Sequence, residues 1–161
     1  MIDKKIISPS KLFSLLLLLV SFTNSANENI SFGIGAGTNY TGLGANIGLK
    51  SPTDYKFIST GCLSYGSQSN LTCGVGVGWI STDLFEIQSK YHGLGLYIGA
   101  VNTEKNSSNT DEEAVYGGAI TYNYFFNGIS NPGANFGVAL NAGDENDGVK
   151  FGVMLQIGYQ F

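Results

Sequence analysis

From residue 30 onward apolar and small polar residues alternate along the chain. In "ISFGIGAG" the residues Ile30, Phe32 and Ile34 share one face, and Ser31, Gly33 and Gly35 the other. "GLGANIGL" sets Leu43, Ala45, Ile47 and Leu49 against Gly44, Asn46 and Gly48. "LTCGVGVGW" sets Leu71, Cys73, Val75, Val77 and Trp79 against Thr72, Gly74, Gly76 and Gly78. The same period recurs through Leu94, Leu96 and Ile98, through Tyr116, Ile120, Tyr122 and Tyr124, and through Phe136, Val138 and Leu140. It closes on Phe151, Val153, Leu155, Ile157, Tyr159 and Phe161. A period of two is the signature of β-strands. It predicts eight, over 30–37, 42–50, 55–65, 70–80, 91–102, 113–125, 134–142 and 148–161. Only "YKFISTGCLSYG" resists a clean assignment, because Phe57 and Ile58 are neighbours. The intervening pieces "TNYTG", "SPTD", "GSQSN", "NTEKNSSNTDE", "FNGISNPG" and "GDENDG" carry turn chemistry. "STDLFEIQSK" is longer and less turn-like. The phrase Tyr-x-Gly-Leu-Gly-x-x-Ile-Gly occurs at 40–48 and again at 91–99. It falls on the second and fifth strands, which run in opposite directions, so it reads as a shared packing solution.

Before residue 30 the pattern is different. Lys4, Lys5 and Lys11 precede the apolar run from Leu12 to Val20, and "TNSA" follows. A basic segment, a short apolar core and small exit residues predict a secretory signal peptide over 1–25, cleaved after Ser25 or Ala26. The run is too short to span a bilayer as a helix, which takes about 20 apolar residues. Residues 26–161 are then one domain.

Charge decides which face of the strands is inside. Of eight basic and twelve acidic residues, three Lys and one Asp lie in the leader, leaving five Lys against eleven acids, with no Arg anywhere. A nucleic-acid binder is excluded, because that function needs a basic, Arg-bearing face. Within the predicted strands only Lys50, Lys56, Glu113 and Lys150 are charged, all near strand ends. A face of Gly, Ala, Ser, Thr, Asn and Gln with so little charge is a poor water-exposed surface. It suits the lumen of a narrow barrel, with the aliphatic and aromatic face turned to lipid. Trp79, Tyr124, Phe125, Tyr159 and Phe161 are the expected interfacial aromatics. Lipid also requires closure, since an open sheet edge leaves backbone groups unpaired in hydrocarbon. The predicted fold is all-β: a closed antiparallel up-and-down transmembrane β-barrel of eight strands.

The tail supports this reading from another side. Val153, Leu155, Ile157, Tyr159 and the terminal Phe161 resemble the C-terminal signature of bacterial outer-membrane β-barrel proteins. In that family the last strand faces lipid, closes the barrel and is read by the barrel-assembly machinery. The resemblance implies an outer-membrane location, outer-membrane lipid as surroundings and both termini in the periplasm. The connections "TNYTG", "GSQSN", "NTEKNSSNTDEE" and "GDENDG" then face outward as polar loops, the last two acidic. An eight-stranded barrel is only wide enough for side chains to fill. Here those are mostly Gly, with Tyr97 and Met154 as the large exceptions.

Candidate chemistry is sparse. Cys62 and Cys73 flank the second outer connection, and export to an oxidising compartment favours a disulfide. Alternation, however, puts Cys73 on the apolar face and Cys62 on the lumen face; a bulge in the third strand would reconcile them. His92 is the single histidine. Some small barrels of the resembling class modify lipid A with a His near a Ser or acid at the outer rim, but the topology puts His92 at the periplasmic rim. "GDENDG" has carboxylates suited to calcium yet lacks the alternating ligand spacing of a calcium loop. The Gly-rich stretches lie within strands and precede no helix, so they are not phosphate cradles. Asn-x-Ser/Thr triplets at Asn29, Asn39, Asn70 and Asn106 are chance products of an Asn- and Ser-rich chain. The sequence therefore predicts no enzyme, cofactor or metal. It predicts a monomeric barrel with a structural or surface-interaction role toward an unknown extracellular partner. The alternatives are a narrow conduit or small-solute binder, and a lipid A-modifying enzyme.

Overall fold

A computed structural model describes residues 30–64, 71–84, 89–105, 112–145 and 148–161. The leader at 1–25, the connection "GSQSN", and most of "NTEKNSSNTDE" lie outside the described residues. Eight strands form one closed antiparallel barrel in chain order: β1 (Ile30–Gly37), β2 (Gly42–Lys50), β3 (Asp54–Ser64), β4 (Thr72–Ser81), β5 (His92–Lys105), β6 (Glu112–Phe125), β7 (Gly133–Glu145) and β8 (Gly148–Gln160). Closure comes from β1 against β8, in register from Gly33 opposite Gln160 to Ala36 opposite Ile157. The ladder continues past it, with Phe161 N–H donating to the Phe32 carbonyl at 2.7 Å.

Alternation sorts side chains as the period requires. Ile98, Leu155, Val153 and Phe151 point outward and are 69–84 % exposed, while Asn123, Thr121, Gln156 and Ser59 point inward and are buried. β3 departs from the expectation. Tyr55, Phe57 and Ser59 face in, while Lys56, Ile58 and Thr60 face out. Phe57, though apolar, fills the lumen against the inward face of Gly78, and its ring stacks on Tyr55 at 5.1 Å. This fixes the parity of the strand and turns Cys62 outward, directly opposite Cys73. The irregularity in β3 lies beyond Cys62, between Cys62 and Ser64, so no bulge is needed to align the cysteines.

The lumen holds more than the Gly, Tyr97 and Met154 expected. At the end where β1 begins and β8 ends, the terminus-bearing end of the described barrel, Tyr55, Phe57, Ile80, Phe125 and Ile129 belong to one buried apolar cluster. Phe125 is thus an interior residue, and its neighbour Phe126 is the outward aromatic. Ile129 is folded into this cluster from the β6–β7 turn, its N–H bonded to the Lys90 carbonyl at 2.9 Å.

Candidate functional site

The first connection does not reach outward. Thr38–Tyr40 form a single 3-10 turn, and Thr38, Asn39, Tyr40 and Thr41 are all buried inside the barrel. The backbone makes this entry by leaving the usual φ range at three points: Gly37 (φ 116°), Thr41 (φ 56°) and Gly42 (φ 88°). Glycine tolerates those angles at no steric cost, and Thr41 takes the left-handed cap of the turn, with its N–H on the Thr38 carbonyl at 3.0 Å.

Glycines of the wall are cut to receive what enters. A side chain at Gly35 or Gly158 would run into the Tyr40 ring, and one at Gly44 or Gly61 into the Tyr40 carbonyl. Likewise, Gly76 and Gly99 face the Tyr97 hydroxyl. The Gly-rich inner face is therefore the mould of an internal plug. It does not leave an open channel.

Each plug residue is tied to a different part of the wall. Thr38 Oγ1 donates to Asn141 Oδ1 at 3.1 Å. Asn39 Nδ2 donates to Asn123 Oδ1 at 2.8 Å, and its backbone N–H to Gln156 Oε1 at 3.3 Å. Tyr40 Oη receives Asn135 Nδ2 at 2.8 Å. Thr41 Oγ1 lies 2.7 Å from Ser59 Oγ and 2.9 Å from Tyr97 Oη, which donates to the Ala100 carbonyl at 3.2 Å. Below the turn, Asn46 accepts from Tyr55 Oη (2.8 Å) and Gln160 Nε2 (3.1 Å), and donates to the Asn39 carbonyl (3.1 Å). Gln160 in turn accepts from Ser31 Oγ at 3.0 Å. Among the described residues one buried side-chain atom, Asn39 Oδ1, has no partner. Buried amides and hydroxyls stabilise a fold only when satisfied, and here nearly all are. Every member of this network is neutral. It can hold a turn in place, but it has no acid, base or nucleophile pair.

The remaining candidates lie elsewhere. Cys62 and Cys73 are joined by a disulfide on the outward side of β3 and β4. His92 faces outward at the terminus-bearing end, with Nδ1 2.6 Å from Tyr122 Oη and its ring edge-on to Tyr124 at 5.2 Å. Its hydrogen-bond partner is a phenol in a belt of aromatics, neither the Ser nor the acid that the lipid-modifying alternative sets beside a His. Val153, Leu155, Ile157, Tyr159 and Phe161 form one exposed outward row, ending where the Phe161 ring packs between Tyr159 (4.9 Å) and Phe32 (6.0 Å). At the opposite rim the strands run further than the alternation predicts and carry Glu104, Glu112, Glu113, Asp144 and Glu145. Lys150 pairs with Glu145 there at 2.7 Å. Among the described residues no three His, Cys, Asp or Glu come together as metal ligands.

The plug was hidden from sequence reading because "TNYTG" has the composition of any exposed turn. The one available signal was the density of Gly on the inner face, which has to be filled by something. Comparison of the chain with protein-family models, curated proteins and solved structures finds no match.

Proposed function

We propose that this chain is a small outer-membrane β-barrel, closed to solute flow, whose role is structural and surface-interacting. The supporting observation is the inversion of the molecule. Its outward face is a continuous band of exposed Ile, Leu, Val and aromatic residues on all eight strands, and its inside is a polar hydrogen-bonded network. An apolar surface of this extent is far beyond that of a water-soluble monomer and suits hydrocarbon. Trp79, Tyr91, Tyr124, Tyr159 and Phe161 gather at the terminus-bearing end, as an interfacial belt would. The acidic rim at the other end is the surface offered to a partner. The row Val153–Phe161 serves as the assembly signal, and the leader delivers the chain to the periplasm.

The plug weighs against the conduit reading, and the phenol partner of His92 against the lipid-modifying one. The test is refolding from denaturant into phospholipid vesicles. The expected product is a heat-modifiable species inserted in the membrane fraction that adds no ion conductance to a planar bilayer. A soluble folded monomer without detergent would refute the membrane reading, and steady single-channel steps would refute the closed lumen.

A further inference from the structure

Two rows of outward side chains cross β2, β3, β4 and β5 toward the terminus-bearing end. In the outer row Leu49 stands opposite Lys56, Lys56 opposite Trp79, and Trp79 opposite Leu96. In the row next toward the middle of the barrel, Ile47, Ile58, Val77 and Ile98 are paired in the same way. Together the two rows line a groove of about 610 Å³ on the outside of the wall. The next outward pair is Ala45 opposite Thr60. Both are small, so on β2 and β3 nothing bulky closes the groove toward the middle.

One charged side chain lines this groove, the exposed Lys56. Its neighbour Trp79 is held in place, with Nε1 donating to Asp54 Oδ1 at 2.9 Å. The other oxygen of Asp54 receives Thr53 Oγ1 at 3.1 Å. Asp54 is thus engaged by the indole and the turn, and among the described residues no carboxylate pairs with Lys56. A cation and an indole stand at one end of the groove, and aliphatic side chains form the rest.

We propose that this groove binds one phospholipid with a net negative headgroup, its phosphate at Lys56 and an acyl chain over Ile58 and Val77. The inference rests on the membrane reading above, which puts the Trp79 row in the headgroup zone and the Ile58 row in hydrocarbon. The polarity of the groove then runs the same way as that of the lipid. A Lys stem lies along apolar surface and holds its ammonium at the boundary, where a phosphate sits. The charge also chooses among lipids. A zwitterionic headgroup offsets its own phosphate with a cation, so its attraction to Lys56 is weaker. A basic residue close to an anionic membrane surface is worth about fivefold in affinity. A second copy of the chain fits this face poorly. A two-fold axis along the membrane normal would bring both Lys56 to the same depth, where like charges repel. A free anion would use Lys56 and leave the groove unfilled.

The experiment uses protein refolded into vesicles of equal parts phosphatidylcholine and phosphatidylglycerol, with a trace of one or the other carrying a diazirine on its acyl chain. After illumination, adducts are mapped by peptide mass spectrometry, and Leu155 on β8 serves as the reference for general lipid contact. Relative to Leu155, the phosphatidylglycerol probe should label Ile58 and Val77 about fivefold more than the phosphatidylcholine probe does. Lys56→Gln should bring the two probes level, and Lys56→Arg should keep the preference. Equal labelling by the two probes in the unaltered protein, or a preference that survives Lys56→Gln, would overturn the lipid site while leaving the membrane reading intact. A preference abolished by inorganic phosphate, but not by chloride at the same ionic strength, would assign Lys56 to a free anion and overturn it too. No adduct at Leu155 with either probe would refute the membrane reading itself.

Discussion

β1 to β4 span 8 to 11 residues each, and β5 to β8 span 13 or 14. In the short half, stability beyond the backbone ladder comes from the centre: the 38–41 turn fills the lumen, and a disulfide ties β3 to β4. In the tall half the strands rise past the plug, and the inner face there is uneven: Val101 and Val115 are buried and close on Gly143. Gly152 has nothing to face, whereas Gly35 and Gly158 at plug level could not bear a methyl group. The same residue type is a close-packed slot at plug level and an opening further along the same strand, β8. Glycine content therefore says where a barrel can be filled, and the course of the chain decides whether it is.

Four changes test this contrast, the largest expected effect first. Tyr40→Ala removes a fully buried ring from the plug and should cost about 3–5 kcal/mol, the range for deleting a buried aromatic. Tyr116→Ala in the tall half removes a ring that is 53 % exposed and should barely move the urea midpoint. Equal losses would mean that the plug does not hold the barrel together.

Val75→Arg in the short half and Leu155→Arg in the tall half both put charge on the apolar band. Each should cost about 2–4 kcal/mol near the bilayer midplane, measured by unfolding in vesicles. A loss at Val75 only would mean that the upper tall half stands in water.

The disulfide is specific to the short half. Cys62 and Cys73 are 11 residues apart, so replacing both with Ser should cost up to about 3 kcal/mol through unfolded-chain entropy. Yet the β3–β4 ladder runs unbroken from Asp54 opposite Ser81 to Cys62 opposite Cys73, so the variant should still insert. Failure to insert would make the bridge a folding requirement.

Thr41→Val keeps the shape of the cap and removes its hydroxyl from Ser59 and Tyr97. Leaving those two buried partners short of a hydrogen bond should cost about 1–3 kcal/mol, toward the low end because each has a second partner. A neutral result would show that the plug is held by ring packing alone.

Alternation in the sequence was enough to define eight strands, their direction and, for seven of them, which face is apolar. That information is local: a side chain two residues away shares its face whatever lies across the barrel. It failed at β3, where Phe57 and Ile58 compete for the apolar face. The inward face of Gly78, on a neighbouring strand, decides that Phe57 turns in, and Cys62 turns out with it to meet Cys73. It failed again at "TNYTG", a polar turn by every local measure. The partners that draw it inside, Asn123, Asn135, Asn141 and Gln156, lie 84 to 117 residues further along the chain. Sequence alone determined the wall, because a strand's two faces are written in its own residues. Tertiary structure decided the filling, because a hydrogen bond across a barrel depends on segments that meet only after closure.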